Sequence, residues 1–357
     1  MTTYHIENFA NIINNSYQTN IFTIFAYVLL IFIGILAYIT LVALTLIYVE
    51  RKVCAAIQCR IGPNRTGWWG LLQPVADAIK LVLKEKNSPL YCDKLLHFIA
   101  PMFCLGACLS SLLIIPFSHN IQVINLNVGI LYWSAVSSLG ILGILIAGWS
   151  SYNKWSLLGA IRSASQMLSY ELSIILSIMV IVIYAGTLDV QKIVLSQLDG
   201  WWIFKGHIVT VISFLIFFVA SVAELNRTPF DLPEGESELG AGFHTEYSGI
   251  QFGFFFLAEY INVFITSAII VTLFLGGWLP FHLYGMLSFN NAMNGIHPII
   301  WFFLKVSLII FIIVWIRWTL PRLRIDQLIY LEWKFLLPLG LVNIVLSAIS
   351  VLYSFHF

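Results

Sequence analysis

IQFGFFFLAEYINVFITSAIIVTLFLG, residues 250–276, carries a single charged side chain, Glu259. A helix needs about 20 mostly apolar residues to cross the hydrocarbon of a bilayer, and this stretch exceeds that. Outward from it, seven more stretches qualify, at roughly 22–49, 95–117, 128–149, 156–186, 207–226, 298–320 and 332–353. Alternating segments of about 10 residues, the mark of a membrane β-barrel, are absent. Composition agrees: of 357 residues, 60% are hydrophobic and 10% charged, where a soluble domain carries roughly 25% charged. A net charge of +1 without a basic run excludes a nucleic-acid binder, and the apolar content excludes a disordered chain. The expected fold is an all-α polytopic membrane protein of eight transmembrane helices, some of them long, plus interfacial amphipathic helices.

Basic residues assign the sides. Fifteen of the 18 Lys and Arg fall between spans one and two (Arg51 to Lys94), three and four (Lys154, Arg162), five and six (Arg227), or seven and eight (Arg317, Arg322, Arg324, Lys334). Only Lys192 and Lys205 lie on the opposite side, and Lys305 lies inside the seventh span. The expectation is basic loops inside and both termini outside. No basic residue precedes the first span and no small-residue cleavage site follows it, so it does not read as a cleaved signal peptide. Residues 1–21 are expected as an outer surface segment. Residues 22–357 are expected as one membrane domain with inner loops 50–94, 150–165, 227–249 and 320–331. In WWGLLQPVADAIKLVLKEK, residues 68–86, Leu72, Val75, Ala76, Ile79 and Val82 share one stripe, and Asp77, Lys80 and Lys84 another. That pattern predicts a helix lying in the interface, with Pro74 near its first turn, where proline is tolerated. Residues 322–331 are a shorter candidate.

A carboxylate in the hydrocarbon costs at least about 2.5–3.5 kcal/mol on insertion scales. Yet Glu171, Glu224 and Glu259 fall in the fourth, fifth and sixth spans. Glu259 lies about 14 Å inside the inner end of its helix. Glu171 is near the middle of a long span, Glu224 is close to the inner end of the fifth, and Glu50 ends the first beside Arg51. An acidic loop follows Glu224: Asp231, Glu234, Glu236, Glu238 and Glu246, punctuated by Pro229, Pro233, Gly235 and Gly240. Crowded or buried carboxylates hold protons more tightly than free ones, so such a series can store and pass protons near neutral pH. The structural alternative for each is pairing with a cation, Lys305 being the obvious candidate, and for the loop it is plain solvation.

The five cysteines show no C-x-x-C or ferredoxin spacing, so an iron–sulfur ligand set is not expected, and Cys104 and Cys108 read as small packing residues on one helix face. The eight histidines include no pair facing across two spans at membrane depth, as a b-type haem requires. No nucleotide-binding or nucleophile motif occurs. No metal ligand set is expected; if the chain belongs to an enzyme, another subunit holds any redox centre or nucleotide site.

Two stretches go further. Residues 50–86, ERKVCAAIQCRIGPNRTGWWGLLQPVADAIKLVLKEK, and 223–259, AELNRTPFDLPEGESELGAGFHTEYSGIQFGFFFLAE, resemble the two signature regions of the H-type membrane subunits (mitochondrial subunit 1) of respiratory complex I, the proton-pumping NADH:quinone oxidoreductase. GWSSYNKWSLLGAIRSASQMLSYE (148–171) and LPRLRIDQL (320–328) are similar to that family as well, and the likeness covers nearly the whole chain. It implies eight spans, several of them tilted, forming the membrane end of a quinone chamber and anchoring a peripheral redox arm. Quinone would be the substrate, entering from the lipid near the first span, the sixth span and the first interfacial helix. Electrons would arrive from NADH through FMN and iron–sulfur clusters on partner subunits. The implied partners are peripheral-arm quinone-site and iron–sulfur subunits, small membrane subunits and antiporter-like subunits, within a lipid bilayer and with no nucleic acid.

Carried over motif by motif, Glu50, Arg51, Arg60 and Asp77 would line or support the chamber, with Arg322, Arg324 and Asp326 from the seventh-to-eighth loop. Phe256 would sit along the tunnel, and Arg227 would order the acidic loop. Asp231, Glu234, Glu236, Glu238 and Glu246 would connect the chamber to Glu224, Glu259 and Glu171. Other readings stay open: a homologous membrane anchor of an energy-converting hydrogenase-type complex, a stand-alone ion transporter, and a purely structural anchor. Against a transporter stands the absence of an inverted repeat; a plain anchor leaves the acidic series unexplained. The 49 residues before Glu50 favour a bacterial plasma membrane over a mitochondrial inner membrane.

Overall fold

Hydrocarbon offers no partner to a bare N–H or C=O, so a spanning chain closes its hydrogen bonds within helices. The computed structural model describes residues 21–232, 240–282, 290 and 293–353. Its long elements are all helical, and no strand occurs among the described residues. In chain order they are α1 (Ile21–Ile57), α2 (Gln73–Leu83), α3 (Lys94–Leu112), α4 (Gly129–Ser150), α5 (Lys154–Ala185), α6 (Val190–Leu195), α7 (Trp202–Lys205), α8 (His207–Glu224), α9 (Ile250–Phe274), α10 (Pro298–Thr319), α11 (Ile325–Leu331) and α12 (Leu337–Leu352). A π-helical turn, Glu332–Leu336, joins α11 to α12. Among the described residues eight helices are long and apolar enough to cross a membrane: α1, α3, α4, α5, α8, α9, α10 and the joined α11–α12.

The spans agree with hydropathy, and their ends differ for physical reasons. The first helix does not stop at residue 49. It runs to Ile57, because Arg51 finds a carboxylate partner and Cys54 and Ala55 are buried. The second ends at Leu112 rather than 117: Ile114 and Ile115 are apolar because they are fully buried in the turn that follows. The eighth begins at Ile325, so the short helix expected near 322–331 is the start of a span rather than a separate element.

The sixth span, α9, is the hub. Of its apolar window 72% is buried, against 17–44% for the others. It packs on α1, α2, α3, α8 and α10. Glu259 on this helix therefore faces protein rather than lipid. The eighth span packs on α5 and α8 at the edge.

An amphipathic helix forms within 68–86, as the pattern predicts, but is shorter, Gln73–Leu83. A 3₁₀ turn, Trp68–Gly70, leads into α2, with Pro74 in the first turn. Leu72, Val75, Ile79 and Val82 remain exposed along one stripe, while Asp77 turns toward the protein. The end of α2 abuts the start of α9 at Gly249, which has φ +59°; a Cβ there would lie 2.9 Å from the Lys84 carbonyl. Only glycine meets both conditions at low cost.

Candidate functional site: buried charges between the spans

The end of the fifth span is held by side chains of the fourth. Gln166 Nε2 donates to the carbonyls of Ala223 and Phe230, both at 2.8 Å. Asn226, in the left-handed region at φ +51°, donates to Ser163 Oγ at 2.9 Å. Asparagine tolerates that conformation better than most residues. The next segment is tied to the seventh-to-eighth loop, where Leu323 N–H donates to the Pro229 carbonyl at 2.9 Å and Arg322 pairs with Asp231 at 2.7 Å. These contacts fix the backbone around Glu224 and Arg227.

Arg227 is buried, and its guanidinium meets two carboxylates. Its Nη1 lies 3.3 Å from Glu50 of α1, and its Nε donates to Glu259 of α9 at 3.0 Å. The guanidinium also lies 4.5 Å from the centre of the Tyr260 ring. Arg317, from the last turn of α10, pairs with Glu50 at 2.7 Å and lies 4.0 Å from Glu259. Two arginines and two glutamates from four separate segments thus form a cluster whose formal charges cancel. Burying any one of them alone would be costly; together they are paired, and Arg227 Nη2 keeps no hydrogen-bond partner among the described residues.

Glu259 also lines a cavity of about 90 Å³ enclosed by α3, α4, α5, α8 and α9. That is room for several waters. Its polar lining includes Ser111, Glu224, Asn226, His244, Asn262 and Thr266. Glu224 Oε2 is buried there with no hydrogen-bond partner among the described residues. Cys104 lines the cavity, and Cys108 donates its thiol to Asn262 Oδ1 at 3.0 Å, so both act as buried packing residues, as their position on the helix suggested. The 3₁₀ turn Gly242–His244 closes one side. It sits so near α5 that a Cβ on Gly159 would be 2.8 Å from Gly242 Cα.

Around this centre lie further groups. Arg51 pairs with Asp77 of α2 at 2.6 Å, and Gln73 Nε2 donates to the same carboxylate at 3.3 Å. Glu246 accepts from Asn153 Nδ2 at 2.6 Å, and Asn153 itself caps the start of α5. Tyr247 stacks on His97 with ring centres 4.0 Å apart and shares a hydrogen bond with Ser150 at 3.3 Å; burial pushes its phenol up to about 12. Phe252, Phe256 and Tyr260 form a ladder along α9.

A family model described as NADH dehydrogenase matches residues 28–348. The H-type chain of the NADH-quinone oxidoreductase of Bacteroides thetaiotaomicron is 51% identical over 323 residues, 90% of each chain. The chain of the same name from Brevibacillus brevis is 46% identical over 339 residues, 95% of this chain and 96% of its own. The chain belongs to the NADH dehydrogenase family. It is an H-type subunit of an oxidoreductase complex, as its signature stretches implied.

Within this NADH dehydrogenase subunit, the structure joins the sequence-predicted residues unevenly. Glu50, Arg227 and Glu259 meet in one cluster, and Glu224 shares the cavity with Glu259. Glu171 is partly buried on α5, within electrostatic reach of Glu224. Arg51–Asp77 and Arg322–Asp231 form separate pairs. Arg60, Arg324 and Asp326 stand apart from the cluster, toward solvent. Glu234, Glu236 and Glu238 lie outside the described residues.

The structural alternative that paired an intramembrane glutamate with Lys305 is not what the fold shows. Among the described residues Lys305 pairs with no glutamate. Its ammonium donates to the carbonyls of Leu275 (2.6 Å), Gly277 (3.0 Å) and Leu279 (2.5 Å), and lies 4.2 Å from the Trp201 ring centre. It caps the negative end of α9, where a cation is favoured. Two residues escape the sequence reading. Arg317 counts there only as a loop charge, though its place inside an apolar run signals a buried partner. Glu332 falls at a span edge in the hydropathy pattern; in the fold it is fully buried. Among the described residues no three His, Cys, Asp or Glu gather as a metal site requires.

Proposed function

We propose that this subunit forms the lateral opening and the membrane end of a quinone chamber, anchors the redox arm on its basic face, and couples quinone reduction to proton translocation. The observation that carries the proposal is the double membership of Glu259. It belongs to the charge cluster reaching Glu50 at the basic end of the first span, and to the cavity that holds Glu224. An electrostatic change on the basic face thus has a short route to carboxylates inside the bundle.

The residues fit quinone in kind. An apolar tail needs an apolar path, and the Phe252–Phe256–Tyr260 ladder lies on α9, which packs against α1 and α2. A polar headgroup needs charged or hydrogen-bonding walls. In this reading Glu50, Arg51, Arg60, Asp77, Arg322, Arg324 and Asp326 line or support the chamber. Quinone reduction consumes two electrons and two protons. The electrons come from NADH through FMN and iron–sulfur clusters on partner subunits, and the headgroup is reduced on partner residues. Negative charge developed during that step acts strongly on carboxylates where water is scarce. Asp231, Glu234, Glu236, Glu238 and Glu246 pass the effect to Glu224, Glu259 and Glu171, with Arg227 ordering the loop. Antiporter-like subunits continue the path, small membrane subunits flank it, and the quinone-site and iron–sulfur subunits dock on the basic loops. The spans act as one membrane domain in a bacterial plasma membrane, basic face inward and both termini outside.

Glu224→Gln and Glu236→Gln in the assembled complex test this. Proton pumping and coupled turnover are expected to fall in both, while NADH oxidation by artificial acceptors continues. Unchanged coupled activity in both would overturn the proposal.

A further inference from the structure

Glu332 belongs neither to the cavity nor to the four-charge cluster. It opens the π-helical turn of the eighth span, about 10 Å along the helix from Ile325. Its side chain is fully buried. Ser173 of α5 donates its hydroxyl to Oε1 at 2.5 Å, and Oε2 has no partner among the described residues. One turn away on α5 the buried Tyr170 hydroxyl donates to the Leu328 carbonyl at 2.9 Å. Tyr170 is the titratable group that faces Glu332 from the fourth span. No ion pair among the described residues includes Glu332. The basic residues of its own segment turn away: Arg324 faces solvent, and Lys334 is exposed and lies 4.2 Å from the Tyr330 ring centre.

A buried carboxylate with one hydrogen bond and no counter-ion is poorly stabilised as an anion. As a neutral acid it avoids an unpaired buried charge while still accepting the Ser173 hydroxyl. Packing alone gives no reason for an acid here, because an apolar side chain of similar volume would fill the space at lower cost. The π-turn is a second, independent sign, as such turns occur mostly as single bulges and often at functional sites. The start of α11, about 10 Å away along the helix, is exposed at Asp326 and Gln327.

We propose that Glu332, with Ser173 and Tyr170, is a further proton-binding site of this subunit. The carboxyl O–H is intact in the resting enzyme. During turnover it breaks, the proton passes to water reaching the basic end of α11, and it is later regained from there. The fourth span borders both this site and the carboxylate series, since Glu171, next to Tyr170, interacts with Glu224. The use of the site in pumping rests on the function proposed above; its resting protonation does not.

The test is infrared difference spectroscopy of the assembled complex in nanodiscs, oxidised against NADH-reduced. The expected result is a deuterium-sensitive carboxylic C=O band that changes on reduction, is lost in Glu332→Gln, shifts in Ser173→Ala and persists in Glu224→Gln. Absence of any band difference between wild type and Glu332→Gln overturns the proposal, as does a band indifferent to reduction. Should Glu332→Gln fail to assemble, an unshifted band in Ser173→Ala overturns it equally. If the band behaves as expected while Glu224→Gln and Glu236→Gln pump normally, the coupling role fails and the proton site stands. If those two variants lose pumping and the band is missing, the reverse holds.

Discussion

Removing the Arg227 charge should unbalance the centre of the molecule. Arg227 lies within 3.3 Å of Glu50 and 3.0 Å of Glu259, with its side chain 1% exposed. At an effective dielectric constant of about 20, each such contact is worth about 5 kcal/mol before desolvation. Desolvation offsets most of that, and loss of one partner from a buried pair costs about 3–5 kcal/mol. Arg227→Gln leaves the cluster with a net charge of −1. The double variant Arg227→Gln/Glu259→Gln restores zero and keeps the 2.7 Å pair between Arg317 and Glu50. The assay is the thermal midpoint of the purified complex together with the fraction of this subunit found assembled. The single variant should lose both, and the double should recover at least about half of the loss, since groups in one network couple strongly. A double variant as unstable as the two single losses added, within about 0.5 kcal/mol, would show that charge balance does not hold these spans together.

Lys305→Met keeps the shape of the side chain and removes the charge that three carbonyls share. Each abandoned buried carbonyl costs about 1–3 kcal/mol, so the thermal midpoint should drop while protons pumped per quinone stay constant. The opposite pattern would return Lys305 to the proton series. For Tyr247, burial raises the phenol from the ordinary 10 to about 12. A group raised in the folded state stabilises below its unfolded value and loses that contribution as pH rises through its folded value. The stability of wild type over Tyr247→Phe should therefore be constant below pH 10 and shrink between 10 and about 12; a flat difference across that window refutes the burial effect.

The spans were legible because length against hydrocarbon thickness leaves few solutions. The partners were not. Consecutive helical residues do not share a face, so Glu50 and Arg51, neighbours in sequence, part company: Glu50 turns to Arg227 and Arg317, Arg51 to Asp77. Hydropathy also treats every apolar residue alike. Ile114 and Ile115 read as span although they are core of a turn, and Glu332 reads as a boundary because nothing in the local pattern shows that α11 continues through a π-turn. Lys305 was legible as costly; that backbone carbonyls, not a carboxylate, would receive it depends on where α9 ends, which is a tertiary fact.

The buried and half-buried carboxylates now fall into two physical kinds, and the proposed coupling needs both. Glu50 and Glu259 are held by guanidinium groups. Protonating such a carboxylate sacrifices a charge-assisted hydrogen bond, about twice as strong as a neutral one, so a paired glutamate resists exchange. Glu224 and Glu332 each keep an oxygen with no partner and belong to no ion pair among the described residues, so no guanidinium opposes their exchange. Glu259 stands between the kinds, paired on one side and lining the cavity on the other. Arg227, which holds it, lies on the segment that continues through Asp231, itself bound to Arg322. A charge appearing near Arg322 would pull on that segment. A displacement of Arg227 by little more than a hydrogen-bond length would then break the 3.0 Å pair and leave Glu259 with the looser 4.0 Å contact to Arg317, closer in kind to Glu224. Coupling in this form requires one ion pair to open, not a rearrangement of the spans.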